Sequence, residues 1–387
     1  MLRLKVVHVV TRLDLGGAQG NTLYTWSHLD SERFDAVLVC GGGGLLDADA
    51  AAISEAPNGP RLRFLPALVR EVDPARDLLA LLQLWNLFIA ERPDVVHTHS
   101  SKAGILGRLA ARLAGVPAIV HTYHGFGFHD YQHPLVKGLY AALERFCCRF
   151  TRTIVFVSKA NEDYARRHGL GDPERYHLIR SGVRLADLPA KVADRRRRKA
   201  ELGFGMHKPL VVSVGNLKAQ KNPADFVALA ERVGAILPDA EFLFVGDGPL
   251  RQRLEYQLIA KGLSGRVKLA GWRRDTPELL ALADVFVLTS LWEGLPRALV
   301  EALKSGLPAV CYATDGVTDL LEDGINGFLV PPRNVTALAE RVLLLLKDEP
   351  LRRALGAAAA ASIGPEFDID HMVRAQQRLY GALLEHE

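Results

Sequence analysis

Two glutamates lie eight residues apart around a predicted helix start, in the stretch 290–308. Glu293 comes just before Pro296, which suits the first turn of a helix because proline has no backbone N–H to leave unpaired. Glu301 lies about two turns inside that helix, and Gly306 favours its end. At a rise of about 1.5 Å per residue, the two carboxylates are at most about 12 Å apart along the axis. Because a helix start attracts phosphate, the pattern favours a diphosphate with a hydroxyl-binding carboxylate on each side.

The residues before this stretch predict the element that positions it. An apolar run at 283–289 indicates a buried strand, so the order is strand, loop and helix. This order places backbone N–H groups at the carboxyl edge of a parallel sheet, where ligands bind in open α/β folds. The alternative is a surface helix with two solvated glutamates, since two Glu residues at this spacing are common. The neighbouring residues decide between the two interpretations.

The pattern around the glutamates resembles the signature of glycosyltransferase family 4, the retaining GT-B glycosyltransferases. It reads Ser-x-x-Glu-Gly-x-Pro-x-x-x-x-Glu-Ala, followed by Gly-x-Pro. The resemblance implies that Glu293, with Gly294 and Leu295 beside it, faces the donor sugar, and that Glu301 holds the nucleotide ribose. It also implies a GT-B architecture: two Rossmann-like parallel-sheet α/β domains that face each other across a cleft. The resemblance covers nearly the whole chain and is most specific in 215–331.

Length and composition agree with two domains. The chain has 387 residues, of which 49% are hydrophobic and 24% are charged, so a large core is available and disorder is not expected. Alternating strand and helix patterns favour parallel sheets. We expect an N-terminal acceptor-side domain at 1–185, a linker at 186–208 and a nucleotide-sugar-binding domain at 209–365. The last segment, 366–387, is predicted to be a helix that returns to the first domain.

Charge, cysteines and hydropathy exclude several classes. A net charge of +4 is too small to indicate nucleic-acid binding, although it suits anionic ligands or an anionic membrane surface. The four cysteines have no metal-ligand spacing, which favours a reduced, cytoplasmic setting. No run of eighteen apolar residues is present, so no transmembrane helix is expected. The apolar run near the N-terminus is too short for a signal peptide and leads directly into a strand.

A second predicted phosphate contact follows the strand at 210–214. The loop that begins at Gly215 contains Lys218 and Lys221 before a helix that starts with proline. Lys221 matches the lysine of the resembling family, whereas Asn216 stands where related enzymes more often have Arg. We therefore expect Lys221 to bind the diphosphate and Lys218 to supply the charge that Asn216 lacks. Arg12 and Arg297 are the alternative sources of this second cation.

Two positions in the first half are candidates for the sugar side. Gly16 and Gly17 follow the strand 4–10, and His124 follows the strand 118–121. A Gly-Gly pair is usually a plain turn and a lone His is usually structural. In the resembling family, however, the matching Gly-Gly loop lies against the donor diphosphate and the acceptor, and the matching His contacts the donor sugar. Arg184 stands where the family usually has Asp, and no role follows for it.

No metal or other cofactor is expected. Asp47-Ala-Asp49 and Asp368-Ile-Asp370 match the metal-binding Asp-x-Asp of another glycosyltransferase fold. The first falls in an alanine-rich helical run and the second lies near the C-terminus, so neither follows a strand as a metal site would. The helix start near Pro296, whose N–H groups carry about half a positive charge, and Lys221 could stabilise the leaving diphosphate instead.

A basic, apolar helix at 134–150 predicts peripheral contact with an anionic membrane. It carries Lys137, Arg145 and Arg149 among apolar residues, and such helices can lie in the membrane interface. An ordinary amphipathic helix with a solvated basic face is an equally good interpretation. The basic run 195–199 is interpreted as a solvated helix face, with a membrane or phosphate contact as the alternative.

The predicted function is retaining glycosyl transfer. The segments His99-Ser-Ser-Lys and His124-Gly-Phe-Gly-Phe look like those of bacterial enzymes that extend lipid-linked surface polysaccharides. This favours a UDP-sugar donor, a glycan or polyprenyl-linked acceptor, and a cytoplasmic location at the inner face of the cell membrane. Two alternatives are an isomerase like the UDP-N-acetylglucosamine 2-epimerases, which share the architecture, and a non-catalytic nucleotide-sugar-binding protein. A transferase releases UDP only with an acceptor, whereas an epimerase converts the sugar nucleotide alone.

Overall fold

The computed structural model describes residues 3–129, 131–188 and 194–384. The chain divides into two compact units: unit 1 consists of Met1–Gly182 and Ile369–Glu387, and unit 2 of Val183–Asp368. The segment predicted as a linker, 186–208, falls within unit 2, although its residues 189–193 lie outside the described residues. The segment 369–384 is a helix that belongs to unit 1.

Unit 1 is built on a parallel sheet of seven strands. They are β1 (Leu4–Arg12), β2 (Phe34–Gly41), β3 (Arg61–Phe64), β4 (Val95–His99), β5 (Ala118–Tyr123), β6 (Thr153–Phe156) and β7 (Tyr176–Leu178). Their order in the sheet is β3-β2-β1-β4-β5-β6-β7. The central strand β1 is apolar on both faces because helices cover both: Val6 and Val10 pack on one side, and Val7 and Val9 on the other.

Helices form a layer on each face of this sheet. Within unit 1 they are α1 (Gly17–His28), α2 (Asp47–Glu55), α3 (Pro74–Glu91), α4 (Ser101–Leu113), α5 (Pro134–Cys148) and α6 (Lys159–His168), joined by the C-terminal helix Ile369–Leu384. Helices α3 and α4 pack on the face of Val7 and Val9, and α5 packs beside α4. Helix α1 and the C-terminal helix pack together on the opposite face.

Unit 2 repeats the pattern with a parallel sheet of six strands. They are β8 (Leu210–Val214), β9 (Glu241–Val245), β10 (Val267–Leu269), β11 (Val285–Leu288), β12 (Ala309–Tyr312) and β13 (Gly327–Val330), in the order β10-β9-β8-β11-β12-β13. The helices are α7 (Arg195–Glu201), α8 (Pro223–Ile236), α9 (Arg251–Ala260), α10 (Thr276–Leu282), α11 (Arg297–Lys304), α12 (Val335–Lys347) and α13 (Glu349–Ser362). The C-terminal helix of unit 1 is α14 (Ile369–Leu384).

Each sheet reverses its strand order at one point. The reversal lies between β1 and β4 in unit 1 and between β8 and β11 in unit 2. In open α/β sheets, ligands bind outside the carboxyl ends of the strands at such a switch point. The loops after these four strands are therefore the places to look for a site.

Most predicted elements are confirmed. The sequence pattern predicts strands of unit 2 at 210–214, 241–245, 267–269 and 309–312, and β8, β9, β10 and β12 have these bounds. The predicted start of α11 needs a correction: Pro296 is the residue before the helix, with φ −74° and ψ 98°, and the helix begins at Arg297. Gly306 has φ +74° just past the helix end, as its predicted stop role requires.

Three short elements were missed by the sequence analysis. Strand β3 alternates arginine with apolar residues at a sheet edge, strand β13 begins with glycine, and helix α10 has only seven residues. In each, local patterning is weak and packing against neighbours decides the conformation. Among the residues that the structure describes, none of the helices is long and apolar enough to cross a membrane.

Candidate active site

The loops after β8 and β11 are joined by hydrogen bonds at the switch point of unit 2. The Leu291 N–H donates to the carbonyl of Gln220 at 2.8 Å, and the Gln220 side chain donates from Nε2 to the carbonyl of Trp292 at 2.8 Å. The Thr289 hydroxyl donates to the carbonyl of Lys221 at 2.9 Å. These bonds hold the two loops in a fixed register, so side chains on one loop face the other.

Lys221 and Glu293 form an ion pair across the two joined loops. Lys221 Nζ donates to Oε1 of Glu293, and the side chains keep 17% and 7% of their area exposed. The Glu293 N–H also donates to Oδ2 of Asp315 at 2.8 Å, in the turn after β12. Three neighbouring strands therefore place a cation and two carboxylates at one sheet edge. A ligand with phosphate and hydroxyl groups could compete for both members of the pair.

Lys218 and Asn216 lie in the same loop as Lys221. The Lys218 N–H donates to the carbonyl of Asn216 at 2.8 Å, and the Lys221 N–H donates to the carbonyl of Lys218 at 3.0 Å. A 3₁₀ turn at Ala219–Lys221 follows Lys218. The two lysines are thus separated by one tight turn, and both are half-buried.

The start of α8 is held by a small polar cluster that the sequence analysis missed. Asn222 has φ +45°, and its side-chain amide donates to Oδ2 of Asp225 at 2.6 Å. The Tyr312 hydroxyl, at the end of β12, donates to the same oxygen at 2.7 Å. Asn-Pro followed by Asp two residues later was the available signal, because such residues commonly start helices. The cluster fixes the loop that carries Lys221.

A glycine permits the close approach of the next loop. Gly246, directly after β9, has φ +135°, and a Cβ there would lie 2.0 Å from the carbonyl oxygen of Gly215. The Leu217 N–H donates to the carbonyl of Asp247 at 2.9 Å. The loop after β8 is therefore supported on both sides, by the loops after β9 and β11, and only glycine fits at 246.

Helix α11 carries the second predicted glutamate. Gly294 and Leu295 are buried in the loop before it. Arg297 and Glu301, on the helix itself, are half-buried. Desolvation raises the pKa of the Glu301 carboxyl, and Arg297 opposes this shift. Desolvation lowers the pKa of Arg297, which Glu301 opposes and Arg184 reinforces. Arg184, the residue in the place of the family's Asp, thus adds positive charge near the helix start.

The glycine pair of unit 1 begins helix α1. Gly16 is the extended residue before the helix, with φ −161°, and α1 starts at Gly17. Neither a side-chain cap nor an acidic residue in the first turn is found at this helix start. Arg12, one alternative source of a second cation, donates to both oxygens of Asp14 at 2.8 and 3.0 Å. The hydrogen bonds to Asp14 raise the pKa of Arg12, so the charge of Arg12 is paired with that of Asp14.

A chain of histidines lies behind His124. His8 on β1 and His99 on β4 have ring nitrogens 3.1 Å apart, and the other nitrogen of His99 lies 3.1 Å from Nε2 of His124. His97 lies beside them, 2.6 Å from the Tyr380 hydroxyl and 2.7 Å from the Thr122 hydroxyl. The sequence analysis did not group these histidines with His124. The signal was their position on neighbouring strands, because β1 and β4 pair His8 with His97.

The nitrogens of His8, His97 and His99 lie within 4.8 Å of one another and could in principle hold a metal ion. However, both nitrogens of His97 and both of His99 are already engaged in hydrogen bonds. Burial lowers the pKa of His8 to about 3 and those of His97 and His99 well below their usual value, so all three rings are neutral at pH 7. No carboxylate belongs to the cluster within the described residues. The arrangement fits a hydrogen-bond network better than a metal site.

Both Asp-x-Asp segments make structural contacts. Asp47 accepts hydrogen bonds from the N–H groups of Gly43 and Gly44 at 2.7 and 3.0 Å, before α2. Asp370 accepts one from the Tyr24 hydroxyl at 2.7 Å. Asp47 and Asp370 are therefore engaged in contacts within the protein.

A second ion pair lies within the helix layer of unit 1. Arg108 on α4 donates to Glu144 on α5, and both side chains are buried. The Tyr123 hydroxyl donates to the same carboxylate at 2.6 Å, and Arg108 Nε donates to the carbonyl of Gly104 at 2.7 Å. Burial by itself would lower the pKa of Arg108, but Glu144 raises it above the usual value. The pair joins α4 to α5 and was not predicted from the sequence.

The predicted site residues therefore form two groups. The structure brings together Asn216, Lys218, Lys221, Glu293, Gly294 and Leu295 in the joined loops of unit 2, and places Glu301 on the helix that follows. The other three residues lie in unit 1: Gly16 ends the loop after β1, Gly17 begins α1, and His124 directly follows β5.

Two family models match this chain. The model of glycosyl transferases group 1 matches residues 194–362, and that of the glycosyl transferase 4-like domain matches residues 16–182. A similar curated protein is the UDP-Gal:alpha-D-GlcNAc-diphosphoundecaprenol alpha-1,3-galactosyltransferase of Escherichia coli. It is 34% identical over 352 residues, which cover 90% of this chain and 89% of that protein.

Another relative and two solved structures extend the comparison. The N,N'-diacetylbacillosaminyl-diphospho-undecaprenol alpha-1,3-N-acetylgalactosaminyltransferase of Campylobacter jejuni is 26% identical over 76% of this chain and 78% of its own length. Anabaena HepE, solved with UDP and glucose, has a TM-score of 0.81 at 20% identity over 98% of this chain and all of its own. Sucrose-phosphate synthase of Thermosynechococcus elongatus has a TM-score of 0.84 at 22% identity over the full length of both chains.

These matches decide between the alternatives left open by the sequence. They favour a transferase over the isomerase and over the non-catalytic protein, and membership in this family agrees with the prediction of a reaction that needs no metal. The two parallel-sheet units have the fold of the solved structures. The chain is therefore a nucleotide-sugar glycosyltransferase with the GT-B fold, and it belongs to glycosyltransferase family 4.

Proposed function

We propose that this chain transfers a sugar, with retention of anomeric configuration, from a UDP-sugar to a polyprenyl-diphosphate-linked glycan during surface polysaccharide synthesis. The relatives from Escherichia coli and Campylobacter jejuni support the acceptor class, because both of their names specify a sugar linked to diphosphoundecaprenol. The name of the first also specifies UDP-Gal, and HepE was solved with UDP. The donor sugar itself does not follow from these names, since the two relatives transfer different sugars.

The observation that carries the proposal is the Lys221–Glu293 pair at the switch point of unit 2. Transfer breaks the bond between the anomeric carbon and the diphosphate, which leaves negative charge on the departing phosphate. Lys221 would stabilise this charge, and the N–H groups at the start of α11 would add partial positive charge. Glu293 would exchange its bond to Lys221 for hydroxyl groups of the donor sugar. The pair thus holds a cation and a carboxylate oriented before the bond breaks.

Glu301 is proposed to bind the nucleotide ribose. A carboxylate accepts hydrogen bonds through both oxygens, so one group can bind two neighbouring ribose hydroxyls. Its desolvated position raises its pKa and makes such bonds worth more than in water. Because ribose contacts are present before and during transfer, loss of Glu301 should weaken donor binding more than it slows turnover.

Unit 1 is proposed to bind the acceptor and to add contacts to the donor. His124 would contact the donor sugar, and the Gly16-Gly17 loop would approach the diphosphate and the acceptor. Helix α1 starts at Gly17, and helix N-termini favour anionic groups. Unit 2 would hold the nucleotide, with Lys218 as the second cation near the diphosphate.

The product of the reaction tests this proposal. Purified protein is incubated with a panel of UDP-sugars, with and without a polyprenyl-diphosphate-linked sugar, and UDP release is measured. We expect release with one donor, only when the acceptor is present, and a product whose new bond keeps the donor's anomeric configuration by NMR. An inverted product would contradict retention. Conversion of the UDP-sugar without an acceptor would instead support the isomerase.

We also propose that the chain is a cytoplasmic protein that contacts the inner face of the membrane through α5. This helix buries Ala141, Glu144 and Cys148 but exposes Leu135 and Leu139, at 79% and 60% of their area. The outward face of α5 is therefore apolar, unlike that of an ordinary amphipathic core helix. Helix α3, which packs against α4 on the same side of the sheet, exposes further apolar side chains: Leu78, Leu79, Leu82, Trp85 and Ile89.

Flotation with vesicles tests the membrane contact. The full chain should float with vesicles that contain anionic lipid, because Lys137, Arg145 and Arg149 can bind the headgroups while leucines enter the interface. Leu135→Ser with Leu139→Ser should reduce flotation, and so should charge reversal of the three basic residues. Ile259→Ser, at an exposed position on α9 in unit 2, is the matched control. Absence of flotation, or flotation unchanged by both sets of variants, would remove the proposal.

A further inference from the structure

The peptide unit between Trp292 and Glu293 is held by hydrogen bonds at both of its ends. Its carbonyl, on Trp292, accepts from Nε2 of Gln220 at 2.8 Å, and its N–H, on Glu293, donates to Oδ2 of Asp315 at 2.8 Å. In a trans peptide unit such as this one, the C=O and N–H bonds point to opposite sides of the chain. The two partners lie accordingly on opposite sides, in the loops after β8 and β12, because β11 lies between these strands.

This arrangement fixes the backbone from which the Glu293 side chain projects. A peptide unit is planar and moves as one rigid body, so bonds at both ends resist its rotation about the chain. The Cα atom of Glu293 belongs to the same plane and cannot shift without straining one of the two bonds. The carboxylate that pairs with Lys221 therefore projects from a fixed point.

Asp315 makes its contact from an unusual backbone conformation. Its φ of +33° lies in the left-handed region, which favours glycine, although aspartate tolerates it better than most residues. The turn is held in place by Thr318, whose N–H and hydroxyl donate to the Asp315 carbonyl at 3.1 and 2.7 Å. Glycine would fit this backbone with less strain, but it has no carboxylate to accept the Glu293 N–H. Such charge-assisted bonds are stronger than those between neutral groups.

We infer that Asp315 is a positioning residue, which holds the Glu293 N–H and so directs the Glu293 carboxylate towards the donor sugar. The inference rests on the proposed function for the role of Glu293, whereas the hydrogen bond does not depend on it. Because Asp315 acts through Glu293, its loss should lower kcat and leave the donor KM nearly unchanged. A displacement of about 1 Å at a reacting group can lower a rate about 100-fold.

Two substitutions at position 315 separate the hydrogen bond from the backbone conformation. Asp315→Gly relieves the positive φ but removes the acceptor, so kcat of the folded protein should fall about 10- to 100-fold. Asp315→Asn keeps an acceptor oxygen and should retain kcat within about threefold. Wild-type kcat in Asp315→Gly would overturn the inference, and so would an equal loss in both variants.

Asp194→Gly is the matched control. Asp194 also has a positive φ, of +48°, and its side chain also accepts from a backbone N–H, that of Arg197 at 3.2 Å. It precedes α7 and is not part of the joined loops. The same exchange of aspartate for glycine should therefore leave kcat and the donor KM at their wild-type values.

A double substitution tests whether Asp315 acts through Glu293. In a Glu293→Gln background, the carboxylate that Asp315 positions is already absent. Adding Asp315→Gly should then lower kcat by less than about threefold, because the effects of coupled residues are not additive. A further loss as large as that in the wild-type background would show an independent effect of Asp315 and refute the positioning role.

Hydrogen exchange in the free protein tests the contact without any reaction. The Glu293 amide should exchange slowly in the wild-type protein and in Asp315→Asn, and about 10-fold faster in Asp315→Gly. An unprotected Glu293 amide in the wild-type protein would overturn the inference, even if Asp315→Gly did not fold. If the wild-type protein transferred no sugar to any acceptor, the proposed function would fail, whereas the exchange rates would still decide whether Asp315 holds Glu293.

Discussion

Two ion pairs of similar chemistry occupy different surroundings in the two units. In unit 1, Arg108 and Glu144 have 0% and 3% of their side-chain area exposed. In unit 2, Lys221 and Glu293 keep 17% and 7% exposed at the carboxyl ends of the strands. The first pair is enclosed between helices, whereas the second keeps part of its surface exposed.

The remaining polar groups around each pair show the same contrast. Glu144 also accepts from the Tyr123 hydroxyl, and Arg108 also donates to a backbone carbonyl, so the first pair is satisfied within the protein. Glu293 sits on a loop held by Asp315, at a place where the fold brings three strand ends together. The comparison shows that burial and hydrogen-bond partners, more than the chemistry of the two charges, distinguish a structural ion pair from a candidate functional one.

Breaking the sealed pair should have the largest effect, and only on stability. Glu144→Gln leaves Arg108 buried without a countercharge, which should cost about 3–5 kcal/mol of the free energy of unfolding. Urea unfolding measures this loss, and kcat of the folded protein should not change. Arg108→Met combined with Glu144→Gln removes both charges and should restore most of the stability. A kcat that falls with Glu144→Gln would show that the pair is not merely structural.

Breaking the accessible pair should do the opposite. Lys221→Met removes the cation proposed for the departing diphosphate, so kcat should fall about 100-fold, or about 2.7 kcal/mol of transition-state stabilisation. The loss of stability should be smaller than for Glu144→Gln, because the Lys221–Glu293 pair keeps more of its side-chain area exposed. Lys261→Met is the matched control, since Lys261 pairs with Glu231 on the surface of the same unit. Equal kinetic effects of the two substitutions would contradict the assigned role of Lys221.

Acid should destabilise unit 1 more than unit 2. The pKa of His8 is about 3 in the folded protein, compared with an ordinary 6.5, so below pH 6.5 the unfolded chain takes up a proton that the folded chain does not. Stability is therefore lost as the pH falls from about 6.5 towards 3, by about 2 kcal/mol at pH 5 for this residue alone. His97, His99 and His121 add losses of the same sign.

Unit 2 provides the internal control for this effect, because His207 is the one histidine in its sequence. Urea unfolding at pH 7.5 and pH 5, followed by hydrogen exchange and mass spectrometry of peptides, resolves the two units. If both units lost the same free energy of unfolding between pH 7.5 and pH 5, the buried histidines would not be the cause of the pH dependence.

The smallest effect should come from removing metal ions. Lys221 and the start of α11 are proposed to stabilise the departing diphosphate, so excess EDTA or added Mg²⁺ should change the rate less than about twofold. Steady-state kinetics with each addition measures this. If EDTA abolished the transferase activity and Mn²⁺ restored it, this would contradict the cation role of Lys221 and the mechanism built on it.

Much of the fold was predictable because apolar runs mark the central strands. The runs at 210–214 and 309–312 are buried on both faces, so their sequences specify strands without help from neighbours. Strand β3, with arginines at alternate positions, depends on pairing with β2 and lacks such a local signal. The residues of the candidate site were found because their sequence pattern is specific, and their roles remain predictions.

Contacts distant in sequence could not be predicted. The bond of Gln220 to Trp292 and that of Asp315 to Glu293 depend on which loops become neighbours, a property of strand order. The histidine chain depends on the register between β1 and β4, and a shift by one residue would have separated the rings. Such arrangements are set by tertiary packing, for which a single sequence has only weak signals.

Glu293→Gln, measured beside Glu144→Gln, tests the central claim most directly. Both substitutions replace a paired carboxylate by an amide of similar size. We predict that Glu293→Gln lowers kcat about 100- to 1,000-fold without changing the unfolding temperature, whereas Glu144→Gln does the reverse. Wild-type turnover in Glu293→Gln would contradict the assignment of the Lys221–Glu293 pair as the centre of the active site.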